Sequence, residues 1–83
     1  MKRININEYK KDGILIDLED PTTFNEGHIP GAINIHLDKL LFNYKNLISK
    51  DKKYYLYCKK GFKSKRACQI LELYGYDVTQ IIR

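Results

Sequence analysis

The chain has 83 residues, 43% hydrophobic and with only two prolines, which suits one small domain with a buried core and excludes wholesale disorder. No apolar run approaches the roughly 20 residues that cross a bilayer, and Met1-Lys2-Arg3 is not followed by the apolar stretch of a signal peptide. Two cysteines cannot build a disulfide framework, and neither has a second Cys or His at metal-ligand spacing. A cytoplasmic protein without a metal is expected.

Taken in chain order, Ile4-Asn5-Ile6 alternates apolar and polar residues and predicts a short edge strand. Gly13 punctuates, and Ile14-Leu15-Ile16-Asp17-Leu18 is an apolar run of buried-strand length. Asp20-Pro21 opens a short helix, with Asp20 as N-cap and Gly27 as its C-terminal glycine. After the turn His28-Ile29-Pro30-Gly31, residues Ala32 to Ile35 predict the next strand. Leu37, Leu40, Leu41, Tyr44, Leu47 and Ile48 follow the spacing of an amphipathic helix. Tyr54 to Tyr57 read as a fourth strand, and a helix carrying Ala67, Ile70, Leu71 and Tyr74 on one face ends at Gly75. Val78 to Ile82 form the fifth strand. Strands alternating with helices imply parallel crossovers, so the fold class is a single α/β domain whose sheet is covered on both faces. Ligands bind such sheets beyond the carboxyl ends of the strands.

Cys58 stands at such an end, directly after a strand and before a helix. The net charge of +5 gathers around it. Five of the fifteen basic residues, Lys59, Lys60, Lys63, Lys65 and Arg66, fall within 59–66 with no acid among them, and the other ten match the ten acidic residues. A diffuse basic surface would suggest nucleic acid or an anionic membrane, whereas a compact cluster beside one thiol suggests a small anion. Neither nucleic acid nor membrane is therefore expected as a partner. In Cys58-Lys59-Lys60-Gly61-Phe62-Lys63-Ser64, a short loop curling into a helix aims backbone N–H groups and the positive end of the helix dipole at a common centre. A thiol held there is expected to react as a thiolate nucleophile. Cys68, on the apolar face of the last helix, is expected to pack rather than react.

At these residues the chain resembles the single-domain rhodanese-like proteins. Leu15-Ile16-Asp17-Leu18 is similar to the family's first strand, which ends in aspartate. Phe24-Asn25-Glu26-Gly27-His28-Ile29-Pro30-Gly31-Ala32-Ile33-Asn34-Ile35 closely matches its E-G-H-I-P-G-A-x-N-I signature. Tyr57 to Ser64 looks like its C-x-x-G-x-x-S active-site loop, and Leu73 to Val78 resembles its helix end and last strand. Members often read aspartate-x-arginine in the first motif and carry a charge before the aromatic; Glu19 and Thr23 stand at those positions here. Many also continue into a Gly-Gly turn and a helix beyond the last strand, whereas this sequence stops at Arg83. Surface left open by that difference could be covered by a homodimer.

The resemblance implies a small rhodanese-like domain over residues 1–83, with a mainly parallel five-stranded sheet and helices on both faces. It implies a sulfurtransferase in which Cys58 is catalytic and takes sulfane sulfur as a persulfide. Lys59, Lys60, Gly61, Phe62, Lys63 and Ser64 would bind substrate, a small anionic donor such as thiosulfate or a persulfide. A thiol or a protein would accept the sulfur, with no cofactor and no metal. His28 would organise its turn, and neither His28 nor His36 is expected to act catalytically; Asp17 is expected to accept local backbone hydrogen bonds. Two alternatives stand beside this reading. One is a non-catalytic interaction or redox-sensing module. The other is a cysteine phosphatase or arsenate reductase, whose loop ends in an arginine where this chain has Ser64.

Overall fold

Apolar residues set two apart along each strand divide between two faces, and this alternation builds the sheet in the computed structural model, which describes residues 1–83. The strands are β1 (Lys2–Asn5), β2 (Ile14–Asp17), β3 (Ile33–Asn34), β4 (Lys53–Tyr57) and β5 (Asp77–Ile82). They form one sheet in the order β1-β5-β4-β2-β3, and every pair is parallel. The helices are α1 (Pro21–Glu26), α2 (Leu37–Leu47) and α3 (Phe62–Leu73), with a 3-10 turn at Ile6–Glu8. None of them is long and apolar enough to cross a membrane.

The larger core joins Ile16, Leu56 and Val78 of the sheet to Leu40 of α2 and Ala67, Cys68 and Leu71 of α3. The opposite face carries Leu15, Tyr55, Tyr57 and Ile81, covered by Ile6, Tyr9, Ile29 and Ala32. That second cover is thin: a single 3-10 turn and the 29–32 turn, without a long helix. The reason is chain length. The β1–β2 connection must pass over β5 and β4 within residues 6–13, which leaves no room for more than one helical turn. Tyr9 supplies much of the cover, with its ring 4.7 Å from that of Tyr55 and its hydroxyl donating to the Gly13 carbonyl at 2.9 Å.

Most elements lie where the apolar pattern puts them, with three differences. β1 begins at Lys2 and yields to the 3-10 turn at Ile6, because Asn5 caps that turn through Asn7 N–H while Glu8 returns to Asn5 N–H. The predicted 32–35 strand is reduced to Ile33–Asn34, since Ile35 and Leu37 turn their N–H groups onto the Asp17 and Leu18 carbonyls as the chain enters α2. α2 is kinked at Asn43, whose φ of −133° is not helical. α1 behaves as expected: Asp20 accepts from Thr23 N–H at 2.8 Å, Pro21 is its first residue and Gly27 closes it.

In-register pairing brings the carboxyl ends of β2 and β4 together, with Asp17 beside Tyr57. The two following residues pairs of consequence, Leu18-Glu19 and Cys58-Lys59, therefore leave the sheet side by side.

Candidate active site

β4 delivers Cys58 to the sheet edge, and Gly61 turns the chain back into α3. Gly61 adopts φ +85°, a left-handed conformation that side chains resist, and this lets α3 begin at Phe62. The turn carries Ser64 beneath the thiol. Ser64 N–H donates to Cys58 Sγ at 3.2 Å, and the thiol faces Ser64 Oγ at 3.4 Å. With the thiol protonated, S–H donates to Oγ and the Ser64 hydroxyl donates to the Gly61 carbonyl at 3.3 Å. On ionisation the hydroxyl can rotate to donate to sulfur, because the Gly61 carbonyl keeps two other donors, Gln80 Nε2 at 3.0 Å and Lys65 N–H at 3.1 Å. Gln80 Nε2 also reaches Ser64 Oγ at 2.9 Å, and Arg3 Nε donates to Gln80 Oε1 at 3.2 Å. Gln80 of β5 thus ties the Gly61 carbonyl to the Ser64 hydroxyl. The strand alternation foreshadows it, since Val78 and Gln80 share the face under α3 and a buried amide there needs partners.

A cavity of about 330 Å³ opens above Cys58. Lys59, Lys60, Phe62 and Lys63 line it on the loop side, and Glu19 and Thr23 form the facing wall. Of the six residues expected to bind substrate, four therefore reach the cavity. Two do not. Ser64 is wholly buried under the thiol, with its N–H on Cys58 Sγ. Gly61 lies on the other side of the loop, where its carbonyl is held by Gln80.

Lys63 lines the cavity in an ion pair. Its ammonium is 2.6 Å from Glu19 Oε1, while Glu19 Oε2 accepts from Lys59 N–H at 2.8 Å. Burial alone would raise the Glu19 carboxyl, but the Lys63 ammonium and the Lys59 N–H outweigh it and hold the group below its ordinary range. The same bond raises Lys63 above the ordinary lysine value. A converging set of loop N–H groups is therefore only partly realised: Lys59 is committed to Glu19 and Ser64 to sulfur. Those of Lys60, Gly61, Phe62 and Lys63 make no bond within the protein.

Asp17 takes the expected local role, accepting from Glu19 N–H at 2.9 Å, and burial raises its carboxyl. His28 stacks on Phe24 with centroids 3.7 Å apart and bonds the Phe24 carbonyl at 2.9 Å, which fixes its turn. His36 occupies the N-cap of α2 without bonding through its side chain. Cys68 is a free, fully buried thiol in the larger core, and desolvation pushes it up to about 12. Arg66 is exposed, and no arginine lines the cavity above Cys58.

Comparison with known proteins agrees with this architecture. The model for the rhodanese-like domain matches residues 2–83. The protein YqhL of Bacillus subtilis (strain 168) is 41% identical over 78 residues, covering 90% of this chain and 61% of that protein, so the chain spans less than two thirds of that relative. A rhodanese-related protein of Thermoplasma volcanium superposes with a TM-score of 0.86 at 27% identity, covering 98% of this chain and 83% of the other. The reduced Bacillus anthracis protein CoADR-RHD gives a TM-score of 0.86 at 30% identity, over 96% of this chain and 15% of that one. With the strand order, the Cys58 loop and the 2–83 match in agreement, the chain belongs to the rhodanese-like domain family.

Proposed function

We propose that the protein is a sulfurtransferase in which Cys58 carries sulfane sulfur between a small donor and a thiophilic acceptor. The observation that supports this most is the setting of Cys58 Sγ: it lies at the base of a cavity of about 330 Å³, with Ser64 N–H 3.2 Å away and lysines around the opening. The thiolate attacks the outer sulfur of thiosulfate or of a persulfide. One Cys58–sulfur bond forms as the donor's sulfur–sulfur bond breaks, and sulfite or a thiolate leaves with the electron pair. The resulting Cys58 persulfide anion extends toward the loop N–H groups that have no partner within the protein, which favour charge at that place as an oxyanion hole does. Cyanide, a thiol or a protein thiol then takes the outer sulfur and restores the Cys58 thiolate. Membership of the rhodanese-like family supports the reaction type.

A phosphatase or arsenate reductase reading fits less well. Gripping a tetrahedral oxyanion calls for an arginine fork over the cysteine, and the position that would supply it holds buried Ser64. The test is turnover. Sulfur transfer to cyanide should be measurable with wild type and absent with Cys58→Ser, and neither should hydrolyse an aryl phosphate. Cys58-dependent phosphatase turnover without sulfur transfer would reverse the assignment.

A further inference from the structure

Glu19 is an acid set into the wall of a site surrounded by lysines. Its side chain is 9% exposed and held at both oxygens, by the Lys63 ammonium and the Lys59 N–H. These two groups are donors that an incoming sulfonate would otherwise use, and the carboxylate already occupies them. What remains at the opening is the ammonium groups of Lys59 and Lys60 on exposed residues, the ring of Phe62, which is 77% exposed, and Thr23. No arginine lines this cavity: Arg83 lies on the other side of the loop, with its guanidinium 5.9 Å from the Tyr57 ring.

We infer that Glu19 is a specificity-determining residue that turns the site away from sulfonate-type donors such as thiosulfate and toward persulfides of the form R–S–SH. The inference rests on the sulfurtransferase reading above and names its donor class. A dianion entering the cavity is drawn by the Lys59 and Lys60 ammonium groups but finds the Lys63 ammonium and the Lys59 N–H already taken by Glu19, so this wall offers its second charge no free donor and sets a carboxylate beside it. A persulfide group brings at most one charge, carried on the sulfur that is transferred, against the two of thiosulfate, and its R group can lie along Phe62 and Thr23. The step balances without any further reactant. Cys58 thiolate takes the outer sulfur of R–S–SH, the donor's sulfur–sulfur bond breaks, and the electron pair leaves on R–S⁻. The proton of the transferred SH passes to that thiolate, leaving the Cys58 persulfide anion and a neutral thiol.

The experiment compares second-order rate constants for sulfur loading of Cys58, read by intact mass, from cysteine persulfide and from sodium thiosulfate. Wild type should load faster from the persulfide, and Glu19→Gln should raise the thiosulfate-to-persulfide ratio by about tenfold or more, as removal of a like charge at close range predicts. Equal rates in wild type, or a folded Glu19→Gln with an unchanged ratio, would overturn the inference while leaving the sulfurtransferase reading in place. Loading from neither donor would instead overturn that reading, and this inference with it. A wild-type measurement decides the matter should Glu19→Gln not fold. Sulfate, which shares thiosulfate's charge and shape, should not protect Cys58 from iodoacetamide at millimolar concentration, and clear protection would contradict the role given to Glu19.

Discussion

Cys58 and Cys68 are both buried and both reduced, yet their surroundings make them different thiols. Cys58 touches a cavity and receives an N–H, whereas Cys68 is enclosed by core residues that disfavour its ionised form. Cys68→Ala should therefore keep sulfur loading at Cys58 and lose only packing, about 1 kcal/mol, measurable by urea unfolding. Loss of loading at unchanged stability would show a chemical role for Cys68. Glu19 supports a pH prediction. Its folded-state value lies below the ordinary glutamate range near ~4.3, so its ion pair stabilises the protein fully above that range. That contribution is lost as pH falls through the folded value. Denaturant melts from neutral pH into the acid range should show wild type losing more stability than Glu19→Gln. Asp17, shifted upward by burial and further by the Glu19 charge, works in the opposite sense, and Glu19→Gln lessens its shift, so it offsets part of the difference without reversing it. The setting of Cys58 was legible in the sequence because a strand end, a glycine and clustered lysines converge on one cysteine. The setting of Glu19 was not, because neither its burial nor its bond to Lys63 can be deduced from local pattern when forty-four positions separate the partners.

Elements place these residues by backbone geometry, and the constraint is tightest at two points. A Cβ added at Gly13 would lie 2.7 Å from the Lys53 carbonyl and 2.9 Å from the Tyr55 ring. The first of these neighbours is backbone and cannot swing aside. Gly13→Ala should destabilise the protein by about 1–3 kcal/mol, with a lowered Tm as the readout. At the other point, β5 anchors the start of α3 through Gln80. Gln80→Leu should fit the space but leave the Gly61 carbonyl with one donor fewer. We expect a loss of about 1–3 kcal/mol and a fall in kcat/KM of about tenfold, because the Ser64 hydroxyl loses the Gln80 amide that fixes it beside the thiol. An unchanged kcat/KM at reduced stability would make Gln80 purely structural. Strand and helix order could be read from periodicity and capping residues, as at Asp20, Pro21 and Gly27. The end of β3 could not, because Asn34 uses its side chain on the Asp17 and Glu19 carbonyls while the following chain peels away. Nothing in an alternating apolar run marks that departure.

At the scale of the whole molecule, the excess positive charge and the cavity coincide, but the charge is less free than its count suggests. Lys63 is spent on Glu19, which leaves Lys59 and Lys60 to attract a donor from solution. Replacing both by glutamine should slow loading from an anionic donor about two- to fivefold at low ionic strength and flatten its salt dependence, since exposed charges act through a field that salt screens. A salt dependence equal to that of wild type would remove them from donor capture. The parallel order β1-β5-β4-β2-β3 explains why all of this chemistry meets at one edge: each strand points its carboxyl end the same way. Whether Cys58 holds a transferable sulfur atom is read most directly by intact mass spectrometry. After incubation with cysteine persulfide or thiosulfate, wild type and Cys68→Ala should each gain one sulfur atom, about 32 Da, released by cyanide or dithiothreitol, and Cys58→Ser should gain none. A protein that folds and keeps its Cys58 thiol free, yet gains no labile sulfur from either donor, would contradict the account.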